Sequence, residues 1–307
     1  MPHIVVLILA ALAVLGTILG LVSRAGWFCE LVSHFRLQYT AGLLVCAPFL
    51  FLTGDVRGAT LAAGVALTNV WFLLPLYVRI RQPPGGQALR LVTANVSSLN
   101  RSHGKLQQLV DAIDPDVMVL QEVNERWLEV LGDFNGRCPC VKTVVLPGGF
   151  GLALYTRLPV ERAEIIQPAP DGLPSVFAQL HLGDQRLIVV GTHPMAPVLP
   201  VYAELRNRQL TALAQFISQQ TDSVILVGDL NTTPWSWVFQ DFLRTAGLRD
   251  SRLGFGLQRS WPVGSRILRI PIDHCLVSPA IAVRKRRVGP DIGSDHYPII
   301  IDIAIPG

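Results

Sequence analysis

The sequence predicts an α/β domain carried behind a helical membrane region. Three features lead there: charge is unevenly distributed, apolar runs of spanning length are confined to the first 80 residues, and β-branched strands alternate with amphipathic helices in the rest. Half of the 307 residues are hydrophobic, only 16% are charged, and mean hydropathy is +0.41. An ordinary soluble chain is less apolar than this, so part of it is expected in lipid.

The membrane elements come first. Ile4 to Val22 carries no charged side chain, and neither does Gly58 to Val78, where Trp71 and Tyr77 sit as interfacial aromatics would. Each run is long enough for a hydrocarbon core of about 30 Å at about 1.5 Å per residue. Leu37 to Gly54 is also uncharged, but it is shorter and contains Pro48. A third helix is expected there, with a re-entrant hairpin as the alternative. The first run lacks a basic start and exceeds a signal core in length, so it reads as a retained anchor. Between the first two runs, "RAGWFCELVSHFRLQY" is either a short amphipathic interfacial helix or a polar loop with aromatics. His34 stands alone in it and is given no catalytic role. Residues 1–80 are thus expected to hold two to three helices, in a multi-pass inner-membrane protein whose one evident partner is the lipid bilayer.

"RIRQPPGGQ" then mixes charge, a Pro pair and a Gly pair, the chemistry of a linker, placed at 81–87. Four of the 26 Lys and Arg residues and two of the 22 acids lie before Ile80, leaving 22 against 20 for the remainder. That near-neutral balance makes no demand for nucleic acid. From residue 88 to 307 the chain reads as one domain. "LRLVTANV" and "DVMVLQEV" are strands separated by a helix in "GKLQQLVDAI"; "SVFAQLHLGDQRLIVVGTHP" is a hairpin turning at Gly183-Asp184. Leu210, Leu213, Ala214 and Ile217 recur at helical spacing ahead of the strand "VILVGD", and "PIDHCLVS" and "VGPDIGSDHYPIIIDIAI" supply the last strands.

The polar residues share one placement. Asn95, Glu122, His193, Asp229 with Asn231, Asp273, and Asp295 with His296 each stand at the end of an apolar strand or immediately before one. A single Asp or Asn at a strand end is usually a turn residue. So many acids, amides and imidazoles at strand ends are poorly explained as turns.

The series "TANV", "QEV", "GTHP", "VGDLN", "SWP", "IDHCLVS" and "GSDHYPI", in this order, resembles the endonuclease/exonuclease/phosphatase superfamily. "GDLN" with a later "SDH" is specific as a pair, and the resemblance covers nearly all of residues 88 to 305. It implies a four-layer α-β-β-α sandwich, two mixed sheets with helices on both outer faces, and a site where loops from both sheets meet. It also implies a metal-dependent phosphoesterase. A phosphate ester is anionic and gains charge on attack, so its site needs a cation and aimed donors. Hard oxygen ligands suit Mg²⁺, with Mn²⁺ as the alternative. Glu122 is the first ligand expected, with Asn95 beside it and Asp295 as a further candidate. The resemblance places Asp229 to orient or deprotonate the attacking water. Asn231, on the same side of an extended chain, would donate to a phosphate oxygen. His296 would contact the phosphate or move a proton, Asp273 would orient it, and His193 is the candidate general acid. His274, adjacent to Asp273, faces the other way and reads as structural.

Other features carry less. Cys138-Pro139-Cys140 is too tightly spaced for a zinc knuckle, and five cysteines give no disulfide framework. "RKRR", Arg284 to Arg287, reads as a solvated strand that could also meet an anionic headgroup or substrate. Tyr155 is either near the site or a cross-strand packing residue. The shared catalytic residues leave the substrate open between a lipid headgroup and a nucleic acid, with an inactive membrane scaffold as the alternative of another class. No protein partner is indicated. The arginines favour a cytoplasmic side for the loops, whereas the resemblance to membrane-anchored members of the superfamily favours an extracytoplasmic domain, which is the expectation adopted.

Overall fold

A computed structural model describes residues 2–83, 85–132 and 138–306; Pro84 of the expected linker lies outside the described residues. Four helices come first: α1 (Pro2–Leu21), α2 (Trp27–Ser33), α3 (Arg36–Leu52) and α4 (Val56–Leu73). α1 and Val56–Leu76 are each long and apolar enough to cross a membrane, and α2 with α3, bent by 60°, make a third if taken as one broken span. The segment around Trp27 is therefore helical rather than a polar loop. Small residues let these helices approach closely: Ala10 and Ala13 of α1 and Ala59, Ala62 and Ala66 of α4 are buried around Leu43 and Leu50 of α3. A buried polar chain links the same three helices, with Arg36 donating to Asn69 Oδ1 (2.9 Å) and Asn69 donating to Thr17 Oγ1 (2.8 Å).

The rest is the expected four-layer sandwich. One sheet runs β11 (Ala282–Val288), β12 (Ile299–Ile305), β1 (Gln87–Asn95), β2 (Val117–Gln121), β4 (Leu152–Thr156), β3 (Cys140–Val144). The other runs β5 (Val160–Ile166), β6 (Ser175–Leu182), β7 (Gln185–Gly191), β8 (Ser223–Asp229), β10 (Asp273–Val277), β9 (Arg249–Asp250). Each sheet has one parallel pair, β1–β2 and β7–β8, among otherwise antiparallel neighbours. A parallel pair needs a crossover, supplied by α5 (His103–Ile113) and α7 (Pro200–Ser218). With α6 (Glu125–Leu131) and α8 (Trp237–Ala246), these helices cover the two outer faces.

Two-sided burial explains why the central strands read as unbroken apolar runs. In β8, Ile225 and Val227 face the core between the sheets, while Val224 and Leu226 face α7 and α8. Tyr155, register partner of Met118, packs under the α5–α6 layer and is remote from the site cavity. Gly183, in the left-handed region at φ 60°, makes the β6–β7 turn. The "RKRR" strand departs from the expected solvated pattern. A bulge follows Val283, and Arg286 turns inward, buried, to bond Ser251 Oγ and Gln258 Oε1.

The helical region and the sandwich meet through α2. Glu30 and Arg206 of α7 form a buried ion pair (2.6 Å), and Glu30 also accepts from Ser236 Oγ (2.9 Å). Glu30→Gln leaves Arg206 buried without its counter-charge. The expected outcome is a loss of about 3 kcal/mol in unfolding of the detergent-solubilised protein, with the double variant Glu30→Gln/Arg206→Gln recovering part of it. Additive losses would show that the pair is not coupled.

Candidate active site

Strand direction gathers the polar residues at one edge. β1 and β2, and likewise β7 and β8, end side by side because they are parallel. β10 and β12 run against them and so begin where those strands end. Asp273 is accordingly the register partner of Asp229, and Ser294, just ahead of β12, donates to Asn95 O (2.7 Å).

Asp229 lies at the centre, buried. Its Oδ1 accepts the Asn231 N–H (2.9 Å), and its Oδ2 accepts from Asn95 Nδ2 (3.3 Å). Two imidazoles flank that same Oδ2, with Nε2 of His193 and Nε2 of His296 each 3.6 Å away. His296 Nδ1 bonds Asp273 Oδ2 at 2.9 Å. Asn95 Nδ2 also donates to Glu122 Oε1 (2.9 Å), while its own Oδ1 accepts the Ser97 N–H (3.1 Å). Glu122 Oε2 accepts the Ser98 N–H (3.2 Å), and the exposed Asp295 accepts from the Trp261 indole (3.0 Å).

Glu122 and Asn231 sit in the left-handed region, at φ 60° and 51°. For non-glycine residues this costs on the order of 1 kcal/mol or more and concentrates at functional sites. The conformation turns each side chain off its strand into a cavity of roughly 410 Å³, also lined by His193, Asp229, Asp295 and His296. Asn95 and Asp273 stand behind that wall. Asn231 departs from the extended geometry expected of it: it follows a turn closed on Asp229, and its amide nitrogen donates to Pro194 O (3.0 Å).

The electrostatics separate the two imidazoles. Burial opposes charging of His296, but Asp273 and Asp229 beside it prevail and raise it to about 10. Burial and the neighbouring His296 push His193 down to about 4, against the pull of Asp273. Burial raises the Asp229 carboxyl to about 7, with His296 opposing. The shared proton belongs on His296, whose direct 2.9 Å bond to Asp273 anchors it, and Asp229 is left as a poised base. His274 points away as expected, with Nε2 bonded to Thr232 O (2.8 Å) and Nδ1 3.0 Å from Arg252.

Two sets of groups could hold a metal. Asp229, Asp273 and His296 bring ligand atoms within 4.8 Å of one another. In that trio the groups already engage one another, with His296 Nδ1 on Asp273 Oδ2 at 2.9 Å. Glu122 and Asp295 instead offer hard carboxylate oxygens at the cavity wall, chemistry that fits a divalent cation with several of its own waters.

The sequence reading overlooked the contribution of α2. Leu31 of α2, with His34 and Phe35 of the turn that follows it, lines the same cavity, and His34 Nδ1 lies 3.0 Å from Thr233 Oγ1. Arg206, held by Glu30, donates to Asn231 O (2.8 Å). The one legible signal was Glu30 and His34 four residues apart on a helical face. Their partners lie about 200 residues further on, where no local pattern points back.

The match that decides the family is a family model described as the Endonuclease/Exonuclease/phosphatase family, covering residues 92–296. The chain belongs to this family. Enzymes of this family use divalent metal ions, and this chain is a hydrolase acting on ester bonds. D. rerio TDP2 complexed with single strand DNA product is 19% identical over 71% of this chain and 99% of that one, with a TM-score of 0.61. The human Nocturnin catalytic domain with bound sulfate anion is 17% identical over 71% and 94%, with a TM-score of 0.56. A family protein from Bacteroides thetaiotaomicron is 17% identical over 73% and 100%, with a TM-score of 0.59. Identities this low establish the shared fold. No curated protein matches the chain.

Asp273→Asn removes the carboxylate that bonds His296 Nδ1. The expected outcome is a fall in the His296 titration from about 10 towards the ordinary imidazole range, followed by NMR of the ring protons. An unmoved titration would assign the elevated value to the remaining carboxylates, Asp229 and Asp295.

Proposed function

We propose that this chain is a membrane-tethered, Mg²⁺-dependent phosphoesterase in which Asp229 activates water and His296 supplies the proton. The observation that carries this reading is the buried Asp229 carboxylate flanked at 3.6 Å by His193 and by His296, the latter bonded to Asp273, and facing a cavity that also presents Glu122. Tethering is supported by the two helices of membrane-spanning length ahead of the sandwich.

Mg²⁺, or Mn²⁺ in its place, would be held by Glu122 and Asp295, with Asn95 bridging Glu122 to Asp229; when bound, it neutralises charge on the phosphoryl oxygens. The chain's own groups do the rest. Asp229 takes a proton from the attacking water as its oxygen bonds to phosphorus. Asn231, aimed by its turn, donates to a non-bridging oxygen. As the ester P–O bond breaks, the leaving oxygen takes the proton from His296, which Asp273 holds in orientation. His193, expected as a general acid, is held neutral by burial, a state suited to hydrogen bonding with Asp229 or the phosphate.

A nuclease is the second reading, favoured by the fold shared with a TDP2 bound to single-stranded DNA product. The two are separated by hydrolysis assays on the full-length protein with Mg²⁺ and with EDTA, across lipid, inositol phosphate and DNA substrates. Asp229→Ala and His296→Ala are each expected to cut turnover by about 10²- to 10⁴-fold while still melting cooperatively, with His296→Ala melting lower because it leaves Asp229 and Asp273 buried without their counter-charge. Glu122→Ala is expected to weaken metal binding at least tenfold, measured by titration calorimetry. Activity that survives EDTA, or full turnover in either histidine or aspartate variant, would reject the mechanism.

A further inference from the structure

We infer that the substrate is a phosphate ester of a bilayer lipid, which enters the site sideways from the membrane through a mouth built partly by α2. The inference rests on the phosphoesterase reading above and adds the substrate class. It stands on three observations about the cavity.

The first is its walls. Besides the catalytic polar groups, the cavity is lined by Leu31, Phe35, Phe150, Val198, Trp261 and Ile270, and no Lys or Arg is among its described lining residues. A nucleic-acid backbone calls for a basic track, which these walls lack despite their aromatic rings. An apolar wall beside a phosphate-handling centre suits a headgroup with acyl chains attached.

The second is where the mouth lies. α2 sits at the level where α1 ends and α3 begins, with Gly20 of α1 packed so closely on Ser33 that a Cβ there would come within 3.2 Å of its Cα. On the tethered reading, the cavity residues Leu31, His34 and Phe35 thus lie at the end of the spanning segments, where α1 ends and α3 begins.

The third is the rim. Trp27, ahead of these residues, donates to Pro197 O (2.7 Å), and Gln38, after them, donates to Ile267 O (2.9 Å). Both tethered loops carry outward apolar side chains, Val198 being 65% and Ile267 78% exposed, with Leu199 and Leu268 beside them. Exposed Arg266 stands beside Ile267 and Leu268, so the loop pairs inserting aliphatics with a cation, while Arg269 anchors the loop through the Pro262 and Val263 carbonyls. The two loops thus extend the membrane-facing surface to either side of the mouth. A lipid whose headgroup reaches Asp229 and His296 keeps its chains against Leu31, Phe35 and Val198. The reaction is hydrolysis: the water oxygen joins phosphorus, one ester P–O bond breaks, and the leaving oxygen carries away a proton.

The test uses full-length protein in phosphatidylcholine vesicles doped separately with phosphatidylethanolamine, phosphatidylglycerol, phosphatidic acid or sphingomyelin, with Mg²⁺. Parallel arms carry the corresponding water-soluble headgroup esters, a single-stranded DNA oligonucleotide and bis(p-nitrophenyl) phosphate. The expected result is cleavage of at least one bilayer lipid ten times faster than its soluble headgroup ester and faster than DNA. The exposed-rim variant Ile267→Asp/Leu268→Asp should lower lipid turnover at least tenfold more than it lowers bis(p-nitrophenyl) phosphate turnover. Soluble esters or DNA cleaved as fast as any lipid, or equal losses on both substrates in the variant, would overturn lateral lipid entry and leave the phosphoesterase reading standing. Absence of metal-dependent turnover on every arm, bis(p-nitrophenyl) phosphate included, would overturn both.

Discussion

Burial of the Asp229 carboxylate is the constraint around which the sandwich edge is built. A carboxylate withdrawn from water is costly unless donors and counter-charges surround it. Here the Asn231 N–H and the Asn95 amide occupy its oxygens, and His296 brings a positive charge that Asp273 keeps in place. Asp273 is in turn backed by cations: Arg252 and Arg286 both donate to its carbonyl, at 3.1 and 3.3 Å. The layers run from a cationic floor through acid and imidazole to the cavity. Removing water from this edge is also what raises the Asp229 carboxyl and lowers His193, whereas His296 is carried the other way by Asp273 and Asp229.

The segment that carries Asp229 is held from the membrane side as well. After Asn231 the chain runs through Thr233, Trp235 and Ser236, and α2 meets each of them: His34 at Thr233, the Ser33 carbonyl accepting from the Trp235 indole (2.7 Å), and Glu30 at Ser236. Leu73 and Leu76 pack against Trp235 beyond the end of α4. Arg206 closes the circuit by joining Glu30 to the Asn231 carbonyl. The helical region therefore shapes the catalytic loop directly, and tilting α2 would be felt at Asn231 through charged, short bonds.

Legibility followed range along the chain. Strands such as "VILVG" and "VMVLQ" were readable because two-sided burial selects continuous β-branched runs, and helices such as α7 because one buried face imposes a 3.6-residue period. The strand-end acids, amides and imidazoles were readable because local apolar context marks where a strand must stop. Asn231 was misjudged in geometry, since alternation along an extended chain says nothing of a left-handed turn. In the "RKRR" strand, expected to face water with alternate residues, a bulge after Val283 breaks the alternation, so spacing alone does not say that Arg286 is the one turned inward.

By itself, the sequence determined the spanning runs, the order of strands and helices, the family and the cast of polar residues at strand ends, all of which rest on local composition and spacing. Tertiary structure alone decided which imidazole carries the proton, since that depends on the 2.9 Å approach of Asp273 to His296 and on the burial of His193. It alone also brought Glu30, Leu31, His34 and Phe35 to the catalytic loop. Packing between segments some 200 residues apart is set by the shape of the whole chain, and no periodicity in either segment records it.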